Sequence, residues 1–369
     1  MKYSIIVPVF NRPDEVDELL QSLCGQTIKD FEVLIVEDGS VKPCKDVCDK
    51  YASILDLHYY AKENSGPGQS RNYGAERAKG EWLIILDSDV VLPKDYLQAV
   101  DAEVSTPLPV REGQGGESLA AFGGPDASHP SFTPIQKAIS YSMTSFFTTG
   151  GIRGGKKKLD KFYPRSFNMG IKREVYQQLG GFSKMRFGED IDFSYRIVEA
   201  GYKTMLIPEA WVWHKRRTDF RKFFRQVYNS GIARINLTKR HPGTLKLVHM
   251  LPTVFTLGVI GCLLLFLMGA ELYIEGEWLD AHGLRPTDNM HQGVGMVFCV
   301  LALLPLLLYS LIIFIDSSLR NKSLWVGLLS IPAAFTQLMG YGLGFIAAWW
   351  KRCVLKQDEF TAFEKNFYK

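Results

Sequence analysis

SIIVPVFNRPDEVDELLQSLC, residues 4–24, changes its periodicity part-way along. Ser4 to Val9 is a short apolar run bounded by turn formers, as a buried strand requires. From Arg12 to Cys24 the residues Val16, Leu19, Leu20 and Leu23 then recur at helical spacing. The alternation continues downstream, where Phe31 to Val36 and Trp82 to Leu86 are further β-branched or aromatic runs that end at Glu37-Asp38 and at Asp87. Strands alternating with helices predict an α/β fold on a doubly wound, mostly parallel sheet. In such sheets ligands bind beyond the carboxyl ends of the strands, which is where these acids fall.

The whole chain of 369 residues is 46% hydrophobic and 22% charged, which excludes a disordered or low-complexity protein. Its mean hydropathy of −0.03 averages two unlike parts, because the charges crowd into the first two thirds. The N-terminus, MKYSIIVPVF, lacks the length and cleavage site of a signal peptide, so the first domain is expected in the cytosol. Cys24, Cys44, Cys48, Cys262, Cys299 and Cys353 have neither zinc nor redox spacing and are expected to be reduced. Ser105 to Ser118 and Gly150 to Asp160, the latter with Arg153 and Lys156 to Lys158, are expected to be loops.

Three stretches, residues 247–270, 292–315 and 323–350, contain no Asp, Glu, Lys or Arg. Each is long enough to cross a hydrocarbon core of about 30 Å, which takes roughly 20 residues. From Lys215 to Lys246 there are ten basic residues and one acid, Asp219, whereas Glu271 to Gly293 carries five acids and only Arg285. By the positive-inside rule the basic side and the domain before it are cytosolic, in agreement with Arg320 and Lys322 in the second loop. The expected organisation is a cytosolic domain over 1–240, a membrane region over 241–350 and a basic tail over 351–369, within a multi-pass inner-membrane protein. Pro332 and the glycines around it leave the third segment open to a tilted or re-entrant path, and the side of the tail open with it.

The chemistry concentrates in ILDSDVVLP, where Asp87 and Asp89 flank Ser88 just after an apolar strand. Two carboxylates at a strand end offer hard oxygen ligands to Mg²⁺ or Mn²⁺, and a cation with open positions can bridge a diphosphate. Before it come Pro8-Val9-Phe10-Asn11-Arg12, Val36-Glu37-Asp38-Gly39-Ser40 and Glu63 to Asn72. In this order and spacing the four motifs resemble the family-2 glycosyltransferases. Phe167-Asn168-Met169-Gly170, Gly180-Gly181-Phe182 and Phe187-Gly188-Glu189-Asp190-Ile191-Asp192 resemble that family's acceptor-side segment. The likeness covers residues 1–240.

The resemblance implies the GT-A fold, with a nucleotide-sugar donor, preferably uridine-linked, held by Pro8, Phe10, Asn11, Glu37, Asp38, Arg71, Asn72, Asp87 and Ser88. Glu37 stands where Asp is common, so its role is less defined than that of Asp38. Asp87 and Asp89 would hold the divalent cation, and His214 sits where related enzymes often have a metal or phosphate contact. Asn168, Gly188 and Asp192 fall on the acceptor side, where Asp190 would be the catalytic base with Glu189 beside it. The helix starting within Ser65 to Asn72 would offer backbone amides to an anion, and an Arg71 fork suits a diphosphate. Ile191, Tyr195 and Val198 at helical spacing put the acids from Glu189 onward in a helix's first turn.

Processive synthases of the family carry Gln-x-x-Arg-Trp near the membrane, but Gln226 is followed here by Val227-Tyr228-Asn229-Ser230. Single inverting transfer to a glycan or polyprenyl-linked acceptor is therefore expected, with no nucleic-acid partner. A processive synthase and a non-catalytic membrane scaffold remain as alternatives. The sugar, the acceptor and the oligomeric state are not legible.

Overall fold

The computed structural model describes residues 1–106, 119–129, 131–150, 162–282 and 290–362. Most of each loop expected at 105–118 and 150–160, with Arg153 and Lys156 to Lys158, lies outside these residues, as do Arg285 and the last part of the tail. In chain order the first elements are β1 (Tyr3–Val9), α1 (Pro13–Cys24), β2 (Phe31–Asp38), α2 (Lys45–Tyr51), β3 (Asp56–Lys62), α3 (Pro67–Ala75), β4 (Trp82–Leu86), β5 (Val90–Val91) and α4 (Tyr96–Val104). Next come β6 (Leu119–Gly123), β7 (Asp126–Ala127), α5 (Pro134–Thr144), α6 (Phe146–Thr149), β8 (Asn168–Lys172), α7 (Arg173–Gln178), α8 (Glu189–Glu199), β9 (Lys203–Leu206) and β10 (Val212–His214). Four long helices close the series: α9 (Phe220–Arg240), α10 (Leu251–Ala281), α11 (Met290–Asn321) and α12 (Leu324–Trp349).

Two compact units interleave along the chain. The first takes residues 1–132, 152–216 and 239–242, and the second takes 133–151, 217–238 and 243–369. Helices α5 and α6 therefore leave the stretch that sequence alone groups as one domain and join the long helices.

The first unit is built on a doubly wound, mostly parallel sheet in the order β3-β2-β1-β4-β8-β6-β9. β1 to β4 run parallel, and β8 is antiparallel to both β4 and β6. Every residue of β2 and β4 is buried, as central strands covered on both faces must be. Their period of two divides the core: Ile5, Val7, Val33, Ile35 and Ile84 pack with α1, α2 and α4, while Ile6, Leu34, Leu83 and Ile85 pack toward α7 and α8. β2 runs two residues past the expected Val36, because Glu37 and Asp38 keep their pairing with Ala61 and Lys62 of β3. The chain moves outward from β1 to β3 and returns to β4 on the other side of β1, which opens a switch point beyond Val9 and Leu86.

The second unit contains three helices long and apolar enough to cross a membrane, spanning Leu251–Ala281, His291–Asn321 and Leu324–Val354. The acidic stretch expected as a loop from Glu271 is helical to Ala281, since charge forbids hydrocarbon but not helix. Pro332 does not break α12, which is continuous from Leu324 to Trp349. Small residues let backbones approach: a Cβ on Gly344 would stand 2.0 Å from the Tyr228 carbonyl oxygen, and one on Gly231 2.1 Å from that of Tyr341.

Candidate active site

The turn after β1 is set by Asn11, whose φ of 56° is a left-handed conformation that Asn tolerates. Its side-chain oxygen accepts from the amides of Val41 and Lys42, tying the β1 turn to the turn after β2. At the end of β2, Asp38 is buried and accepts from the amides of Ser65 and Gly66 and from Lys62 Nζ at 2.5 Å. Glu37 is also buried and is held by the Cys44 amide, Ser40 and Tyr59. Both acids thus shape the loops around the switch point.

Arg71 lies on α3, almost fully buried, and its guanidinium forks between two carboxylates. Nη2 donates to Asp87 Oδ1 at 2.8 Å and Nη1 to Glu189 Oε1 at 2.9 Å. The guanidinium expected to face a diphosphate is therefore committed to positioning these two acids. Asn72 is similarly engaged, its amide pairing with the Phe182 backbone and the Tyr176 hydroxyl.

Asp89 follows β4, and its Oδ2 accepts from Arg12 at 2.6 Å. β5, immediately after it, pairs antiparallel with β10, with Val90 opposite His214. That pairing brings His214 Nε2 to 3.3 Å from Asp89 Oδ1, and the ring stacks on Phe167 at 5.0 Å between centroids. Ligand atoms of Asp87, Asp89 and His214 all lie within 4.8 Å of one another. His214 Nδ1 is buried without a hydrogen-bond partner, and 4.0 Å from it is Asp126, which pairs with Arg216. Two hard carboxylates with one imidazole suit a divalent cation such as Mn²⁺ or Mg²⁺.

The opposite wall is the start of α8. Gly188 takes φ 85°, a left-handed conformation natural to Gly, and its carbonyl accepts the first helical bond, from the Asp192 amide. Glu189 and Asp190 are thereby buried in the first turn, where the helix N-terminus favours negative charge. Burial works to raise Asp190, but Arg165 at 2.7 Å and the Ile191 amide overcome it and hold the carboxyl below its usual range. Glu189 goes the other way: burial, helped by the charge of Asp190, pushes it up to about 7 against the pull of Arg71. Adjacent acids are thus held in opposite protonation tendencies.

The expected apolar stripe of α8 is displaced. Phe193 and Ile197 enter the core, while Ile191 and Val198 are only half buried, because the helix also buries Glu189, Asp190, Asp192 and Ser194. Asp192 is bound to Arg196 and to His241 Nε2 at 3.0 Å. Asn168 is buried between Tyr96 and the Ala210 carbonyl. Pro8 lies near the end of β1, Phe10 just beyond it, and Ser88 is buried between the two acids.

Residues 4–107 match the Glycosyl transferase family 2 profile, and residues 166–335 match Glycosyl transferase family group 2. The chain belongs to the family-2 glycosyltransferases. Among curated members it is 26% identical over 252 residues to the pre-mycofactocin glycosyltransferase of Mycobacterium tuberculosis, covering 65% of this chain and 48% of that protein. It is 36% identical over 102 residues to the poly(ribitol-phosphate) beta-N-acetylglucosaminyltransferase TarS of Staphylococcus aureus, covering 27% of this chain and 18% of that one. The chain spans from 13% to 54% of the length of curated relatives that it matches. The mannosyltransferase PcManGT of Pyrobaculum calidifontis, solved with GDP-Man and Mn2+, shares the fold with a TM-score of 0.53 at 17% identity, over 96% of this chain and 88% of its own.

Within this family-2 framework, sequence reading did not single out Arg165, Arg186, Asp126 or His241. Arg186 Nη1 lies 3.4 Å from where a Cβ on Gly66 would stand, which puts a guanidinium against the start of α3. Opposite charge within a few residues of a motif was the only available signal, and it does not identify partners.

Proposed function

We propose that the chain is an inverting glycosyltransferase that moves a sugar from a nucleotide-sugar donor to an acceptor hydroxyl. The observation that carries this is Arg71, whose single guanidinium joins Asp87 of the cation-binding motif to Glu189 of the Glu-Asp pair. Leaving-group and acceptor chemistry thereby meet at one locus. A divalent cation held by Asp89, Asp87 and His214 would supply positive charge where the diphosphate's negative charge develops. Asp190, kept ionised by Arg165, accepts the acceptor's hydroxyl proton as that oxygen bonds to the anomeric carbon. The bond from that carbon to the phosphate oxygen breaks at the same time, and the nucleoside diphosphate leaves with the electron pair. Arg186 and the amides at the start of α3 are placed to meet anionic oxygens.

The acceptor is read as a lipid-linked or cell-surface glycan, from three helices able to lie in the membrane. The cation reading draws support from PcManGT, whose complex contains Mn2+. Single addition is favoured over polymerisation because Gln226 is not followed by the Arg-Trp of processive synthases. The test is release of free nucleoside diphosphate from a panel of labelled nucleotide-sugars in the presence of membrane lipid extract. At least one donor should turn over with Mn²⁺ or Mg²⁺ and stop with chelator. Turnover insensitive to chelator would remove the cation from the account, and no turnover across the panel would overturn the transferase reading.

A further inference from the structure

A second cluster lies at the amino end of the sheet, away from the carboxyl ends that form the active site. Ser4, Glu32 and Asp56 form one row across β1, β2 and β3, with Ser4 opposite Glu32 and Glu32 opposite Asp56. His58, two residues beyond Asp56, points to the same face of β3 by the strand's period of two. Two like charges directly opposite in neighbouring strands repel, and Glu32 is fully buried. A cation between them relieves both penalties.

The side chains are arranged as ligands would be. Glu32 Oε1 accepts from the Ser4 hydroxyl and from the Lys79 amide, each at 2.6 Å, which fixes the carboxylate. That leaves Oε2 buried without a hydrogen-bond partner, aimed at His58 Nε2, 3.4 Å away. His58 Nε2 is itself buried and without a hydrogen-bond partner, and Asp56 Oδ1 is 3.2 Å from it. All three ligand atoms lie within 4.8 Å of one another. Zinc bound to His nitrogen and carboxylate oxygen at about 2.0–2.1 Å in a tetrahedron puts neighbouring ligands about 3.3 Å apart. The two separations bracket that figure.

We propose that Glu32, Asp56 and His58 bind Zn²⁺ through Glu32 Oε2, an Asp56 oxygen and His58 Nε2, with the fourth position left to water. A protonated His58 alone would bring one positive charge to two carboxylates, whereas Zn²⁺ with neutral imidazole balances both. Asp56 and His58 are partly exposed, so the ion enters from solvent. The site pins β3, which is an edge strand, to the buried β2. Ser4 and the Lys79 amide act as the outer shell that orients Glu32.

The test counts zinc on the full-length chain in detergent, by metal analysis after dialysis and by calorimetric titration. Asp89→Ala/His214→Ala serves as background, so that the cation cluster of the proposed active site contributes nothing. The expected result is one tight equivalent of zinc in that background, with a raised thermal midpoint. Asp56→Asn and His58→Gln should each weaken it by about tenfold or more, at least the cost of losing an outer-shell partner. Both replace partly exposed side chains and should fold, as a thermal transition without metal would verify. Zinc bound equally well by these variants, or no tight zinc on the folded background protein, would overturn the proposal.

Discussion

Asp190 and Glu189 are neighbours in sequence, yet the fold drives their protonation apart, because Arg165 faces one and deep burial governs the other. Glu189 titrates near 7 in the folded chain, so between about pH 4.5 and about 7 the folded state holds a proton that the unfolded state has released. This group's contribution to stability is lost as pH rises through that window. Asp190, held low, behaves oppositely, and its contribution is lost only in stronger acid. Glu189→Gln, neutral throughout, should therefore gain thermal midpoint relative to wild type as pH is raised from about 5 to about 7.5. A difference between the two that stays constant over this range would show that Glu189 does not titrate as its burial dictates. The chemical character of Asp87, Asp89 and Asp190 is legible from the motifs, but the guanidiniums facing them are not. Arg71 and Glu189 are 118 residues apart, and only the packing of α3 beside α8 reveals that the arginine holds carboxylates.

At the scale of elements, the site depends on how closely α3 lies on the sheet. A Cβ on Gly74 would stand 2.6 Å from Ile6 Cγ2, on a stiff, fully buried β-branched side chain. Gly74→Ala should overpack this contact, costing about 1–3 kcal/mol of stability in denaturant titration. It should also tilt α3 and displace Arg71, which lies one turn earlier, so activity should fall further than the stability loss accounts for. Unchanged stability would mean that the helix has more room than this contact shows. The strands were legible because β1, β2 and β4 are buried on both faces and leave unbroken apolar runs. α8 was legible as a helix but not in its orientation: its buried face carries acids and a serine that pair inside the protein, so counting apolar residues picks the wrong stripe. The acidic end of α10 is helical for a related reason, since Glu271, Glu275, Glu277 and Asp280 mark a polar segment without ending a helix.

For the whole molecule, the sequence places a catalytic unit before apolar helices, but not the return of α5 and α6 to the helical unit. That return is invisible in composition, and the packing of α5 on α12, through Ala138 with Val326 and Ala333, assigns it. If the long helices span the membrane as the basic flank Lys215 to Lys246 implies, the catalytic unit faces the cytosol. An impermeant thiol reagent applied to intact cells, after replacement of exposed Cys353, should label a cysteine placed at Glu277 and spare one placed at Glu63; the reverse pattern would invert the topology. If a base on α8 and a cation motif after β4 act on one donor, Asp190→Asn is the variant that separates transfer from donor binding. The variant keeps the size and much of the hydrogen bonding of Asp190, so donor affinity should stay near normal while sugar transfer falls by about 10²-fold or more. Transfer retained above about a tenth of the wild-type rate, with donor binding intact, would contradict the assignment of Asp190 as the base.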